Sequence, residues 1–192
     1  PPAADARHIY IPLETGRLAA FDASAGEPVW SVELAATAAP LAADGRVFVP
    51  ASGAIHALDA ATGAVVWRLP AGALAAPLAY RGGWLIVALA DGGLQGVRAA
   101  DGAVLWGASP GAALAAAPSI DGDALAAPLA DGRVVLVEMR TGAVLWSRSL
   151  GGVPRGVTLS GDRVFAGTAH GFFWALKTRN GDVDWRWRIG AP

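Results

Sequence analysis

Carboxylates and histidines are the side chains of this sequence that could hold a metal ion or transfer a proton. Calcium takes about six to eight oxygen ligands, and the middle of the chain offers five carboxylates: Asp91, Asp101, Asp121, Asp123 and Asp131. These aspartates fall in separate predicted turns, and no single loop is densely acidic. The pattern therefore does not predict a calcium site.

The other candidate groups are equally scattered. The three histidines, His8, His56 and His170, lack the paired i, i+4 spacing of a helical metal motif, so we interpret them as strand or turn residues. The absence of cysteine excludes disulfides, thiolate metal sites and a cysteine nucleophile. We predict no catalytic residue, no metal site and no cofactor, and hence a protein that is not an enzyme.

Composition limits the class of protein. The chain has 192 residues, of which 54% are hydrophobic and 16% charged, so it can bury a sizeable core. A formal charge of −1 gives no basic footprint for nucleic acid. No apolar run approaches the roughly 20 residues that a transmembrane helix needs, so we predict neither nucleic-acid binding nor a transmembrane segment.

A repeat dominates the sequence. A glycine stands four residues before a tryptophan in five places, and these five tryptophans follow one another at spacings of 37, 39, 40 and 39 residues. A fixed period of this length indicates a propeller, a solenoid or another repeat array. The predicted structural positions of the repeat are Gly26, Trp30, Gly63, Trp67, Gly102, Trp106, Gly142, Trp146, Gly181 and Trp185.

Each repeat is predicted to contain four short strands. The segment between Trp30 and Trp67 holds four β-rich runs separated by turn signals, as expected for one antiparallel sheet. A glycine also lies 14 residues before each of the five repeat tryptophans, where a tight hairpin would use its freedom at positive φ: Gly16, Gly53, Gly92, Gly132 and Gly171. Four-stranded blades around a channel are the architecture of β-propellers.

The first two repeats show the motif in detail. They read Ala20-Phe-Asp-Ala-Ser-Ala-Gly-Glu-Pro-Val-Trp30 and Ala57-Leu-Asp-Ala-Ala-Thr-Gly-Ala-Val-Val-Trp67. This pattern resembles the tryptophan-docking motif of the PQQ-like (pyrroloquinoline quinone) β-propeller repeat family. The resemblance implies that the tryptophan packs between neighbouring blades and that the alanine leaves space for it. Later copies vary: the alanine position becomes Gly96, Leu136 and Ala175, and the Asp22 and Asp59 position becomes Arg98, Glu138 and Lys177. An aspartate at this position is therefore predicted to accept turn hydrogen bonds and not to act in catalysis.

The predicted fold is all-β, a propeller with five four-stranded blades over about 1–34, 35–71, 72–110, 111–150 and 151–192. Residues 1–192 form one repeat domain in this prediction. Members of the family close seven or eight blades, so we predict an open arc cut from a longer propeller, as a fragment of a longer protein. Its open edges could recruit further strands, which predicts possible self-association.

The last repeat differs most from the others. It concentrates residue types that are enriched at protein interfaces, so we identify a possible interface at Phe172, Phe173, Trp174, Arg186, Trp187 and Arg188. Strand alternation predicts that Trp185 and Trp187 share one face and the two arginines the other. Trp187 could also simply pack against a further blade.

The resemblance implies a function class. The lipoprotein of the outer-membrane β-barrel assembly machinery uses the same repeats without PQQ and binds protein partners. We therefore predict a non-catalytic scaffold for protein–protein interaction, periplasmic or associated with the bacterial outer membrane. Two alternatives stay open: a fragment of a PQQ- and Ca²⁺-dependent quinoprotein dehydrogenase, and a sensor domain fused to a signalling protein.

Overall fold

The computed structural model describes residues 1–189 and arranges them as five sheets, each of four antiparallel strands that are neighbours in chain order. Each sheet is one blade. No helix occurs in this part of the chain. The strands are, for the first blade, β1 (Ala3–Ala4), β2 (His8–Pro12), β3 (Arg17–Asp22) and β4 (Pro28–Glu33); for the second, β5 (Leu41–Ala43), β6 (Arg46–Ala51), β7 (Ala54–Asp59) and β8 (Val65–Pro70); for the third, β9 (Ala79–Arg81), β10 (Trp84–Ala88), β11 (Leu94–Arg98) and β12 (Val104–Ala108); for the fourth, β13 (Ser119–Asp121), β14 (Ala124–Pro128), β15 (Arg133–Glu138) and β16 (Val144–Ser149); and for the fifth, β17 (Pro154–Ser160), β18 (Arg163–Thr168), β19 (Phe172–Lys177) and β20 (Val183–Arg188).

The hairpin between the second and third strand of each blade turns on a glycine. The five glycines predicted for this turn have φ between 70° and 94°, a conformation that other residues adopt only with strain. This turn chemistry divides the sequence into strands at a fixed interval. It explains why the repeat could be recognised without any structural information.

A β-bulge lies at the same place in every blade. The third and fourth strands shift register just after the residue that pairs with the repeat tryptophan, as between Ala57, which pairs with Trp67, and Leu58, which pairs with Val65. Val66 is thereby left without a partner and is exposed. Bulges bend a strand and redirect its side chains. Here the bulge precedes the tryptophan that must point at the next blade.

The hydrophobic core is divided into four clusters, and each cluster lies between two consecutive blades. In the cluster between the third and fourth blades, Ile86, Leu94 and Trp106 pack with Leu125 and Val137. Equivalent clusters join the first and second, the second and third, and the fourth and fifth blades. Among residues 1–189 no cluster joins the fifth blade to the first. The propeller is therefore an open arc.

One interface contains a half-buried titratable group. His56 lies on β7, on the strand face of Leu58, and its Nε2 is buried without a hydrogen-bond partner. Burial, together with the positive charge of Arg68, lowers the pKa of His56 below its usual value of 6.5. Folding therefore favours the neutral imidazole.

This predicts a pH dependence of stability. The unfolded chain binds a proton at His56 more readily than the folded chain does. The contribution of the neutral His56 to stability is therefore fully present above pH 6.5, and it is lost as the pH falls below 6.5 through the lower pKa of the folded state. Gln95 occupies the same repeat position in the third blade. We expect His56→Gln to reduce the loss of Tm between pH 7.5 and pH 5, measured by thermal unfolding of both proteins. An equal loss in the variant would assign the pH dependence to other groups.

Candidate functional site

The repeat tryptophans connect the blades through a hydrogen bond as well as through packing. We call the turn between the third and fourth strands of a blade its outer turn. In the first four blades the indole N–H donates to a backbone carbonyl at the start of the outer turn of the following blade. The Nε1–O distances are 2.9 Å from Trp30 to Ala60, 2.9 Å from Trp67 to Ala99, 2.7 Å from Trp106 to Met139 and 2.7 Å from Trp146 to Thr178. The single N–H donor of each of these four indoles is therefore satisfied.

The glycine of the same outer turn covers the tryptophan ring. A Cβ added at Gly142 would lie 2.5 Å from Cε3 of Trp106, and one added at Gly63 would lie 2.8 Å from Trp30. Gly102 and Gly181 approach Trp67 and Trp146 in the same way, at 2.8 and 2.7 Å. Because non-bonded carbon atoms prefer about 3.5–4.0 Å, only glycine fits there. In each Gly-x-x-x-Trp segment the glycine thus covers the tryptophan of the preceding blade, and the tryptophan packs against the glycine of the following blade.

Gly96 shows a contact that the sequence analysis did not identify. It pairs with Trp106 across the sheet, and a Cβ at Gly96 would lie 2.2 Å from Cε2 of that ring. In the sequence, Gly96 is marked only as a glycine at a position where the two preceding repeats have alanine. A change from one small residue to a smaller one was the available signal.

The possible interface residues of the last blade divide between two faces. Arg186 and Arg188 share a face with Phe172 and Trp174, whereas Phe173 lies on the other face, against Trp185. Phe172 and Phe173 are half-buried, Arg186, Trp187 and Arg188 are exposed, and Trp174 is buried in the cluster between the fourth and fifth blades. Trp174 is therefore not a direct contact for a partner, and its role at this surface is to support the arginine that lies over its ring.

The two arginines are held over aromatic rings. The Cζ of Arg186 lies 5.2 Å from the ring centre of Trp174 and 5.7 Å from that of Phe172, and the Cζ of Arg188 lies 5.8 Å from the Phe172 ring. These distances are within the range of cation–π attraction. No carboxylate in residues 1–189 forms a salt bridge with either arginine. We call Phe172, Trp174, Arg186 and Arg188 the arginine–aromatic patch.

A cleft of about 510 Å³ lies elsewhere on the fifth blade, lined by Asp162, Arg163, Lys177, Thr178 and Arg179. Its basic groups are partly neutralised, because Arg163 contacts Asp162 and Asp184 at 2.9 Å and Lys177 lies 4.0 Å from Asp184. A similar cleft between the second and third blades contains Asp44, Arg46 and Arg98. Such clefts are a feature of the repeat and do not distinguish one site.

The turn aspartates accept hydrogen bonds from the residues that follow them in the same turn. The Oδ1 of Asp59 accepts hydrogen bonds from the hydroxyl of Thr62 at 2.9 Å, from its N–H at 2.9 Å and from Ala61 N–H at 3.1 Å. These bonds, led by the Thr62 hydroxyl, lower the pKa of Asp59, and the Ser24 hydroxyl leads the same effect on the pKa of Asp22. Each is an Asx-type turn.

We expect Asp59→Asn to change stability less than Asp59→Ala, because an asparagine Oδ1 still accepts the turn hydrogen bonds. The advantage of the wild type over Asp59→Asn should be fully present above pH 3.8 and be lost as the pH falls from 3.8 through the lower pKa of the folded carboxylate. Thermal unfolding of the three proteins at pH 7 and pH 3 measures both effects. Equal destabilisation by the two substitutions would contradict the role assigned to this turn.

Residues 107–111, Gly-Ala-Ser-Pro-Gly, spell the Gly-x-Ser-x-Gly pattern of hydrolase nucleophile elbows. That elbow needs a strand followed directly by a helix. Ser109 follows β12 on the connection to the fourth blade, and no helix follows it among the described residues. The pattern does not form an elbow here.

Comparisons with known proteins identify the repeat. Residues 14–160 match the family model described as outer membrane protein assembly factor BamB, which covers more than half of the chain. This chain belongs to that family of PQQ-like repeat proteins. No curated protein sequence matches it.

Solved structures show the same fold. BamB from Moraxella catarrhalis matches with a TM-score of 0.76 and 24% identity over 100% of this chain, and the designed protein Ika8 with 0.84 and 18% over 98%. Quinohemoprotein alcohol dehydrogenase from Comamonas testosteroni matches with 0.76 and 14% over 99%. The chain spans 64%, 61% and 42% of those three chains. At these identities the likeness concerns the fold alone.

The dehydrogenase likeness raises the question of a quinone and calcium site. The five central aspartates are each engaged elsewhere: Asp101, Asp121, Asp123 and Asp131 pair with arginines, and Asp91 accepts a hydrogen bond from Gly93 N–H. No cluster of three or more histidine or carboxylate groups that could hold a metal occurs within the described residues. The carboxylates present here do not fit a calcium–quinone site. A separate finding concerns membranes: residues 1–189 contain no helix that is long and apolar enough to cross one.

Proposed function

We propose that this chain belongs to a non-catalytic β-propeller scaffold that binds protein partners in the bacterial envelope. The family match, to a model described as an outer membrane protein assembly factor, supports a role in assembly over a role in oxidation. The engaged aspartates of the central turns support the same choice, since they leave no free carboxylate cluster for cofactor chemistry within residues 1–189.

The observation that carries the proposal is the arginine–aromatic patch. Arginine and aromatic residues are the types that contribute most binding energy at protein interfaces. A guanidinium that already rests on a ring loses little conformational freedom on binding. Its N–H groups can donate to carboxylates or carbonyl oxygens of a partner, while its flat face stays on the aromatic ring.

The family match supports a location for this chain. A protein that assists assembly of outer membrane proteins works on the periplasmic side of that membrane, and we propose that place for this chain. Self-association through the exposed strand edges of the arc stays a prediction. The partner itself is expected to present an acidic or carbonyl-rich surface to Arg186 and Arg188.

In-cell photocrosslinking tests this proposal. With a photo-reactive amino acid at position 188 of the protein in its own envelope, we expect a discrete crosslinked partner. Arg186→Glu should lower the crosslinking yield about tenfold, since a hydrogen bond to a charged group contributes about 1.5–3 kcal/mol. Arg68→Glu is the matched control, because Arg68 follows the tryptophan of the second blade as Arg186 follows Trp185. A yield that ignores Arg186→Glu, or falls equally with Arg68→Glu, would contradict the proposed surface.

A further inference from the structure

The outer turn of the fifth blade contains the only asparagine of the sequence, Asn180, and the next residue is Gly181. The backbone nitrogen of the residue that follows an asparagine can attack the carbon of the side-chain amide. This attack is easiest when that residue is glycine, which has no Cβ to obstruct it. Asparagine is accordingly among the residues that proteins of heat-loving organisms use less. The Asn180-Gly181 pair therefore has the residue types that spontaneous deamidation requires.

The other four outer turns lack this pair. The residue before the turn glycine is Ala25, Thr62, Asp101 or Thr141. Alanine and threonine have no side-chain carbonyl group that the glycine nitrogen could attack. The ionised carboxylate of Asp101 is a poorer target than an amide, because its negative charge repels a nucleophile. The reaction is thus favoured at one outer turn of the five.

The folded turn holds both of the reacting groups. The Gly181 N–H donates to the Lys177 carbonyl at 2.8 Å. The Nδ2 of Asn180 donates to Oδ2 of Asp182 at 2.7 Å, and its Oδ1 accepts from the Asp182 N–H at 3.2 Å. A backbone nitrogen must lose its proton to attack, and a hydrogen bond holds that proton in place. The reaction therefore requires the turn to open, although Asn180 itself is exposed to solvent.

The docking of Trp146 keeps this turn closed. The Trp146 indole donates to the Thr178 carbonyl at the start of the turn at 2.7 Å, and Gly181 covers the ring, where an added Cβ would lie 2.7 Å from it. Arg148 donates to the Gly181 carbonyl at 2.7 Å and contacts Asp182 at 3.0 Å. The turn can open only when these contacts between the fourth and fifth blades break. The rate of the reaction should therefore follow the fraction of molecules in which this interface is open.

We propose that Asn180 is a deamidation site that records each opening of the interface between the fourth and fifth blades and then hinders its closure. In the reaction the Gly181 nitrogen forms a bond to Cγ of Asn180. The Cγ–Nδ2 bond breaks, and the amide leaves as ammonia with the proton of the glycine nitrogen. Water then opens the succinimide ring at either of its two carbonyl groups. One product is aspartate, and the other is isoaspartate, in which the main chain runs through the former side chain.

The aspartyl product is compatible with docking. The third blade already has an aspartate at this position, where Asp101 pairs with Arg98 at 2.8 Å. Lys177 occupies the Arg98 position in the fifth blade. An aspartate in place of Asn180 would thus have a cation at the same spacing along the chain. This product should leave the interface intact.

The isoaspartyl product is not compatible with docking. It lengthens the main chain by one methylene group between Thr178 and Gly181. The carbonyl that accepts the Trp146 indole and the glycine that covers its ring then no longer match the same tryptophan. Trp174 of the arginine–aromatic patch packs in the same cluster as Trp146. The loss of docking therefore also loosens the surface proposed to bind partners.

Peptide mapping by mass spectrometry measures how docking controls the reaction. During incubation at neutral pH, we expect Trp146→Ala to deamidate at Asn180 about tenfold faster than the wild type, because the variant lacks the aromatic ring that closes the turn. Trp106→Ala is the matched control, since it disturbs the interface between the third and fourth blades. Equal rates in the wild type and Trp146→Ala would overturn the proposal. Equal acceleration by Trp106→Ala would also overturn it, because the reaction would then follow general unfolding.

Thermal unfolding of aged protein measures the consequence. After the wild type is deamidated at mildly alkaline pH, we expect its isoaspartyl fraction, identified by enzymatic methylation, to unfold about 5 °C below the fresh protein. Asn180→Asp should keep the Tm of the fresh protein. Asn180→Thr, with the residue that Thr62 and Thr141 provide in other blades, should keep its Tm through the same ageing. An isoaspartyl fraction as stable as Asn180→Asp, or an equal loss in aged Asn180→Thr, would overturn the proposal.

Discussion

Trp106→Ala is expected to lower the free energy of unfolding by about 3–5 kcal/mol, the usual cost of removing a large buried aromatic side chain. Trp106 is 8% exposed, it packs between the third and fourth blades, and its N–H donates to the Met139 carbonyl at 2.7 Å. The substitution therefore removes packing, leaves a cavity and orphans a carbonyl. Urea denaturation, compared with the wild type at an unchanged m value, measures the loss.

The fifth blade provides matched controls for this substitution. Trp185 has the same repeat position as Trp106, but no blade covers it among residues 1–189, so Trp185→Ala removes its ring contacts with Phe165 and Phe173. At about 0.5–1.5 kcal/mol for each of these two aromatic pairs, the expected loss is about 1–3 kcal/mol. Trp187 is 69% exposed, and Trp187→Ala should change stability by less than about 0.5 kcal/mol. Equal losses for Trp106→Ala and Trp185→Ala would refute docking as the source of stability.

Gly142→Ala is expected to destabilise the arc by about 2–5 kcal/mol. The left-handed backbone at φ of 75° costs an alanine about 1–2 kcal/mol. The new methyl group would also lie 2.5 Å from the Trp106 ring, and overpacking costs about 1–3 kcal/mol more. The same denaturation experiment measures this loss.

Gly26→Ala separates these two contributions. Gly26 has nearly the same φ, 70°, but open space where its Cβ would stand. We expect this variant to lose only the backbone cost of about 1–2 kcal/mol. If Gly26→Ala and Gly142→Ala are equally destabilising, backbone strain alone explains the glycines and the ring contact is unimportant.

The architecture could be predicted from sequence because it depends on local rules repeated five times. A glycine that needs positive φ and a tryptophan that needs a large burial site each leave a mark at a fixed spacing, as Gly63 and Trp67 do. Propensity and turn chemistry agree at every repeat. The open arc followed from the number of repeats in the same way.

The partners of these residues could not be predicted. Nothing in the spacing of Gly63 and Trp67 indicates that the glycine covers Trp30 of the preceding blade while Trp67 bonds to Ala99 of the following one. The bulge that leaves Val66 unpaired has no sequence signal of its own, because valine also suits a regular strand. Contacts between repeats depend on sheet geometry, which a linear motif does not encode.

The candidate interface could be predicted only in composition. The sequence indicated that arginines and tryptophans of β20 alternate between two faces, but not that Arg186 rests on Trp174 or that this tryptophan is buried. Those relations are set by the pairing of β19 with β20, in which Trp174 stands opposite Arg186. Trp187 and Trp174 therefore belong to different surfaces although the sequence analysis grouped them.

We propose that this propeller arc binds proteins and does not bind a quinone cofactor. The most direct test is to titrate the chain with PQQ and Ca²⁺ while recording Tm. A ligand that binds the folded state raises stability by RT ln(1 + [L]/Kd), so a true site gives a Tm that keeps rising with ligand concentration. We predict a Tm that does not change at any concentration of quinone and calcium. A saturable quinone complex whose Tm grows with ligand would contradict the scaffold assignment and place the chain with the quinoprotein dehydrogenases.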